Sequence, residues 1–311
     1  MIFQNPNGVE NNKSLMELMK LFRSFLTRAD DPHEKTGFEM IPRSAEALQH
    51  LKDEILWVGH STLLINHQGV NVMTDPIFAD RASPFSFSGP KRVTPLPFQI
   101  ADLPQIDVVV ISHSHYDHLD KAAVIELAQR QAKLKFLVPL GLKKIFNDWG
   151  ITNVEELDWW QSTDVAGVTF TATPVQHWSS RTPFDRNKTL WAGWMVSWPD
   201  FKFYFTGDSG YCDNFIETQA RLGTPDLSAI PIGAYLPRDF MKISHVNPEE
   251  AIQILRDLKS PKAVPIHWGT YKLTLEPLAE PPAMLLDLLN NANLDGQGFT
   301  VLKHGESTSI Y

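Results

Sequence analysis

Residues 111–120 read ISHSHYDHLD, with three histidines and two aspartates in ten positions. A solvated polar loop would explain them, and so would a metal site. His113 and His115 are two apart, so in an extended segment their side chains point the same way. Asp117 and His118 follow after a turn. Neutral imidazole nitrogens and a hard carboxylate oxygen together suit zinc. One site could form on His113 and His115 and a second on Asp117 and His118, each still short of ligands. Three later residues could complete them: His177 in TPVQHW, Asp208 in FYFTGDSG and His267 in AVPIHWG. Alone, each is an ordinary structural histidine or turn aspartate. Together they supply what two cations need.

The elements around these residues must present them at one edge. DVVVIS (107–112) has the continuous apolar character of a strand buried on both faces and runs straight into the cluster. Ligands at the carboxyl end of a buried strand sit where α/β folds place their sites, and 177, 208 and 267 also follow strand-like runs. ILWVGHSTLLIN and VNVMTD are expected as two strands with a turn at Gln68-Gly69, and 79–105 as a long loop. AAVIELAQRQA, LGLKKIFNDWG, 213–222, 247–258 and 281–292 read as helices. KFLVP, VEELDWW, VTFTATPV, LWAGWMVSW, FKFYFTGD, LSAIPI, AVPIH and a closing FTVLK read as strands. Alternation mixed with runs of strands predicts an α/β sandwich whose internal sheets are covered by helices. One catalytic domain is expected over 51–311, behind an N-terminal extension, 1–50. Residues 1–13 are polar and expected to be loose. Residues 14–29 form a basic amphipathic pattern opened by the capping-box pair Ser14 and Glu17. Such a helix covers its own domain or a homodimer interface, or it lies on a membrane surface.

The chain has 311 residues and a formal net charge of −8, so its overall field does not attract nucleic acid. Its single cysteine, Cys212, permits no internal disulfide and no thiolate metal cluster. A cytoplasmic protein is expected, with no membrane span or signal peptide and at most peripheral contact with the inner face of a membrane.

HSHYDH followed by isolated His, Asp and His resembles the metallo-β-lactamase superfamily. That resemblance implies a four-layer αββα sandwich with mixed sheets, outer helices and two metals, usually zinc, with iron or manganese as other candidates. It implies that His113, His115 and His177 hold one metal, that Asp117, His118 and His267 hold the other, and that Asp208 bridges them. WVGHSTLLI, TDPIFADRASP, GPKR, VPLGL, ELDWW, TGDSGYC, AIPIGAYLPRDFMK, HVNPEEA and IHWGTY, in order from about 55 to 272, look like the N-acyl-phosphatidylethanolamine-hydrolysing phospholipase D family. Release of N-acylethanolamine and phosphatidic acid from a membrane phospholipid is then expected. A metal-bridging hydroxide would attack phosphorus, with Asp208 and Asp117 orienting it and taking its proton. Asp75 in MTDP is expected to fix a ligand ring. His245 in SHVNPEE would hydrogen-bond the phosphate or, with an ordinary pKa near 6.5, protonate the leaving oxygen. Trp159, Trp160, Trp178 and Trp268 are candidates to wall an acyl-chain groove, and Tyr116 to face a head group. His60 is read as a structural strand residue, and Cys212 as packing. The rival readings are a lactonase or soluble-phosphodiester hydrolase on the same metals, and an inactive metal-binding scaffold.

Overall fold

A computed structural model describes all residues except 1, 12–15, 17, 18, 21, 22, 25, 26 and 292–297. Half of the amphipathic stretch expected at 14–29, including its capping pair Ser14 and Glu17, falls on these positions, so that helix as expected lies outside the described residues.

Two seven-stranded sheets pack face to face. The first takes β1 (Glu54–Gly59), β2 (Thr62–His67), β3 (Val70–Thr74), β4 (Val108–Val110), β5 (Lys135–Pro139), β6 (Val154–Leu157) and β14 (Ser307–Ser309) in the order β14-β1-β2-β3-β4-β5-β6. The second takes β7 (Ser162–Val165), β8 (Val168–Thr173), β9 (Gly193–Ser197), β10 (Lys202–Phe205), β11 (Leu227–Pro231), β12 (Lys262–Ile266) and β13 (Gly298–Phe299) in the order β13-β12-β11-β10-β9-β8-β7. Both are mixed. β14 to β3 pair antiparallel and β3 to β6 parallel. β13 to β10 pair parallel and β10 to β7 antiparallel.

The alternation of strand side chains sorts the core into layers. Val108 and Val110 join the cluster between the sheets with Trp57, Phe170, Trp194 and Phe205. Val109 and Ile111 face the other way, onto Leu127 of helix Lys121–Arg130 and Phe146 of helix Leu142–Asp148. Helices Asn214–Leu222, Pro248–Asp257 and Glu280–Asn291 belong to the second sheet, with Phe215, Leu255 and Leu285 in its core. The layers are therefore αββα, as the motif implied.

Three local expectations need correction. ILWVGHSTLLIN is not one strand: it breaks at His60-Ser61 into β1 and β2, with His60 in the left-handed region at φ 54. β7 comes from QSTDVAG, too polar and short to show an apolar pattern. FTVLK shrinks to Gly298–Phe299, and β14 closes the opposite sheet.

Candidate metal centre

β4 ends at Val110, and three residues later the chain reaches His113. The loop that follows is tightly built. His118 and Leu119 N–H groups return to His115 O at 3.1 and 2.8 Å. Arg181 donates to Ser114 O and Leu119 O, both at 2.8 Å, while its guanidinium lies over the Tyr116 ring at 4.0 Å. One arginine thus fixes the loop and one of its aromatic rings.

Across the sandwich, the chain after β8 brings in His177, the turn after β10 brings in Asp208, and the residue after β12 is His267. The structure gathers all seven candidate ligands. His113 Nε2 and His177 Nε2 lie 2.8 and 3.3 Å from His115 Nδ1. Asp117 Oδ2 lies 3.5 Å from His118 Nε2 and 3.4 Å from His267 Nε2. Asp208 Oδ2 stands between the groups, 3.1 Å from His118 Nε2, 3.2 Å from His267 Nε2, 3.8 Å from His177 Nε2 and 4.0 Å from His113 Nε2.

These atoms converge without satisfying one another. His118 Nε2, His267 Nε2 and Asp208 Oδ1 are buried and have no hydrogen-bond partner. The His118 and His267 nitrogens approach carboxylates closely but off the line a hydrogen bond needs. Buried polar atoms without partners are costly, and so many at one point suit cations rather than packing. The donor set, imidazole and carboxylate with no thiolate, fits zinc and also fits iron or manganese.

Charge tells the same story. Burial alone would raise Asp117 and Asp208, but the surrounding imidazoles, His118 foremost, outweigh it and hold both well below the usual carboxylate range. Burial pulls His118 and His267 down; the two carboxylates overcome it, lifting His118 well above its ordinary value and His267 to about 9. His113 and His177 stay well below theirs, and His115 falls to about 4, burial being the first cause of each. Asp208, which is buried, and the part-buried Asp117 thus demand positive charge, which two imidazoliums provide when no cation does.

Supporting groups set the rings. Asp75 is fully buried behind the site and takes the His118 Nδ1–H at 2.7 Å and the Ser112 N–H at 2.7 Å. Ser112 Oγ lies 2.9 Å from His113 Nδ1. His177 Nδ1 donates to Ser244 O at 2.9 Å. A donating Nδ1–H leaves the Nε2 lone pair free for a metal. Asp75 therefore touches a candidate ligand, not the cleft, and is placed to orient its ring.

His60 is the residue that sequence reasoning missed. Its Nε2 lies 3.0 Å from Asp117 Oδ2, and its ring packs on His267 at 4.0 Å. Burial, then the His267 charge, push it down to about 3, so it is a neutral ring donating Nε2–H to Asp117. It directly follows β1, the same strand-end position that marked the candidate ligands, but the position was hidden when β1 and β2 were read as one strand.

His245 Nδ1 is 3.8 Å from Asp208 Oδ2 and has no partner. Burial pushes its pKa to about 4, so the imidazole is neutral at pH 7. A cleft of about 810 Å³ opens here, lined by Tyr116, Trp178, Phe240, Met241 and Leu273 beside His115, Asp117, Asp208 and His245. It is large and apolar enough for a lipid-sized ligand. Trp159, Trp160 and Trp268 do not line it. Trp159 donates to Trp191 O, Trp160 lies under Arg221, and Trp268 stacks on Trp57 in the core. Cys212 is buried in the core, its thiol pushed to about 11 by burial.

A Beta-lactamase superfamily domain model matches residues 70–268. The "N-acyl-phosphatidylethanolamine-hydrolyzing phospholipase D 1" of Caenorhabditis elegans is 37% identical over 98% of this chain and 91% of its own. The chain belongs to the N-acyl-phosphatidylethanolamine-hydrolysing phospholipase D family, within the metallo-β-lactamase superfamily. A mitochondrial phospholipase D of that name from Saccharomyces cerevisiae is 33% identical over 82% of this chain, which spans 58% of the yeast protein. Among solved structures, Igni18, a metallo hydrolase from Ignicoccus hospitalis, covers 82% of this chain and 97% of its own with a TM-score of 0.63 and 20% identity. That likeness speaks to the fold. As a phospholipase D family member the chain is a metal-dependent hydrolase. No described helix is long and apolar enough to cross a membrane.

Proposed function

We propose that the chain is a zinc-dependent phospholipase D that cleaves N-acyl-phosphatidylethanolamine to N-acylethanolamine and phosphatidic acid. The observation that carries this is Asp208 Oδ2, equidistant within about an ångström from four imidazole nitrogens of both groups, at the foot of an apolar cleft, in a chain of this family. His113, His115 and His177 are read as one cation's ligands, Asp117, His118 and His267 as the other's, and Asp208 as shared. Two divalent cations there would supply Lewis-acid charge and acidify a water enough to attack phosphorus. The residues do the rest. Asp117 and Asp208 orient that water and accept its proton. Being neutral, His245 hydrogen-bonds a phosphoryl oxygen, and the proton taken up by the aspartates passes to the N-acylethanolamine oxygen as its bond to phosphorus breaks. Trp178, Phe240 and Met241 receive acyl chain and exclude water.

Lipid must reach the cleft. Phe85, Phe87 and Phe184 are exposed at 56, 80 and 83%, on loops whose neighbours Ala82, Ser180 and Arg186 line it. Each loop is held in shape: Arg81 donates to Ser86 O and Gly89 O, and Asp185 caps Arg181 N and Thr182 N. We read these three rings as the contact with a membrane surface. The single cysteine fits a cytoplasmic location, and we read residues 51–311 as the catalytic domain behind an extension over 1–50.

The deciding experiment is a mass-spectrometric product assay on N-acyl-phosphatidylethanolamine in mixed micelles, with Asp208→Asn as control. Both products from the zinc-loaded wild type, and at least a hundredfold less from Asp208→Asn, are expected. A metal-filled wild type that yields neither product, but opens lactones or soluble phosphodiesters, overturns the lipid reading. Liposome co-sedimentation should fall when Phe85, Phe87 and Phe184 become serine; unchanged binding removes them as the contact.

A further inference from the structure

Residues 3–11 were expected to be loose, yet they run across the outside of the site. Phe3 N–H donates to Asn187 O at 2.8 Å. A turn follows, with Gly8 N–H on Asn5 O at 2.9 Å and Asn5 Nδ2 on Val9 O at 2.9 Å. Gly8, at φ 69, permits the left-handed backbone this turn needs. The turn directs the Asn5 side-chain oxygen inward. Asn5 is 7% exposed, and that oxygen accepts the main-chain N–H of His177 at 2.9 Å. Asn7 Nδ2 reaches Gln176 Oε1 at 3.3 Å, and Asn11 Nδ2 reaches Ser244 Oγ at 2.6 Å. Ser244 is the residue whose carbonyl accepts His177 Nδ1–H. The segment therefore grips His177, its neighbour and the group that orients its ring. Arg186, lying over Trp178 at 4.3 Å on the cleft wall, ties the end of the segment down by donating to Asn11 O.

We propose that residues 3–11 are a strap that sets the hold on one cation, with Asn5 the positioning residue for His177. The reason is geometric. Ser209 and Gly210 hold the main chain of Gln176 from the loop that carries Asp208, but the main-chain N–H of His177 itself is taken by the strap. Asn5 is the acceptor that holds it. Outer partners of metal-binding histidines commonly tune metal affinity by about 10–100-fold. The proposal rests on reading His113, His115 and His177 as one cation's ligands.

The test uses the full chain loaded with zinc: wild type, Asn5→Ala, Asn5→Asp and Asn11→Ala. Metal content is measured by elemental analysis and release by a chromogenic chelator. Asn5→Ala should release one of its two zinc ions about tenfold faster or more, with the second unchanged. Asn5→Asp, which keeps the accepting oxygen, should return towards wild type. Wild-type release of both ions from Asn5→Ala, or equal acceleration of both, overturns the strap. Should Asn5→Ala not fold, Asn11→Ala carries the test; it should show the same one-ion acceleration more weakly, and its absence overturns the proposal. A folded wild type that cannot hold two zinc ions refutes the ligand reading itself, a result distinct from a strap failure.

Discussion

At the scale of single residues, His60 shows how a side chain can matter without touching the reaction. Its Nε2–H donates to Asp117 at 3.0 Å, and its backbone sits at φ 54. Asparagine tolerates that backbone but is too short to reach Asp117. His60→Asn should therefore keep the fold and lower kcat/KM by about 10–100-fold, as loss of an outer partner does. Steady-state kinetics beside a melting curve checks this; an unchanged kcat/KM would reduce His60 to a packing residue. The candidate ligand set was legible because residue type, spacing and strand-end position all agreed for His113, His115, Asp117 and His118. Asp75 was legible from its place just after an apolar strand together with the resemblance. His60 was lost to a missed two-residue turn. Asn5 left no local trace beyond a Pro-Asn-Gly turn signal, because its partner His177 is far along the chain and nothing in the sequence pairs them.

Among elements, the strand ends decide the geometry. Gly233 follows β11, whose neighbour β12 delivers His267. A Cβ at Gly233 would lie 2.1 Å from His267 O, so the two strand ends can approach only with glycine there. Gly233→Ala should push His267 away from Asp208. It should cost about 1–3 kcal/mol as overpacking does, and zinc content should fall towards one ion per chain. Thermal melts and elemental analysis test this together; full zinc content in a destabilised variant would separate packing from ligand placement. Interior strands such as β4 and β12 could be read from the apolar runs they sit in. β7, β13 and β14 could not, because edge strands of two to four residues draw their pairing from a neighbour rather than from their own alternation.

For the molecule as a whole, the charge buried at the sheet ends makes stability depend on cations. A ligand that binds only the folded chain adds about 2.7 kcal/mol at a hundred times its dissociation constant. Stripping metal with a chelator should lower Tm by several degrees, and excess zinc should restore it. A chelator-treated chain melting like the untreated one would remove cations from the account. The fold class was legible from mixed alternation of strands and helices, while the burial of Asp208 at the sheet ends was not, since it depends on the docking of two halves. That docking has a consequence in time. His113, His115, Asp117 and His118 leave the first sheet; His177, Asp208 and His267 leave the second. On a translating ribosome the early ligands emerge as an incomplete set and wait for partners made much later. Neither proposed cation can be fully captured until both sheets exist and have met. Metal capture then closes biosynthesis rather than guiding it, and an aborted chain would carry no working centre.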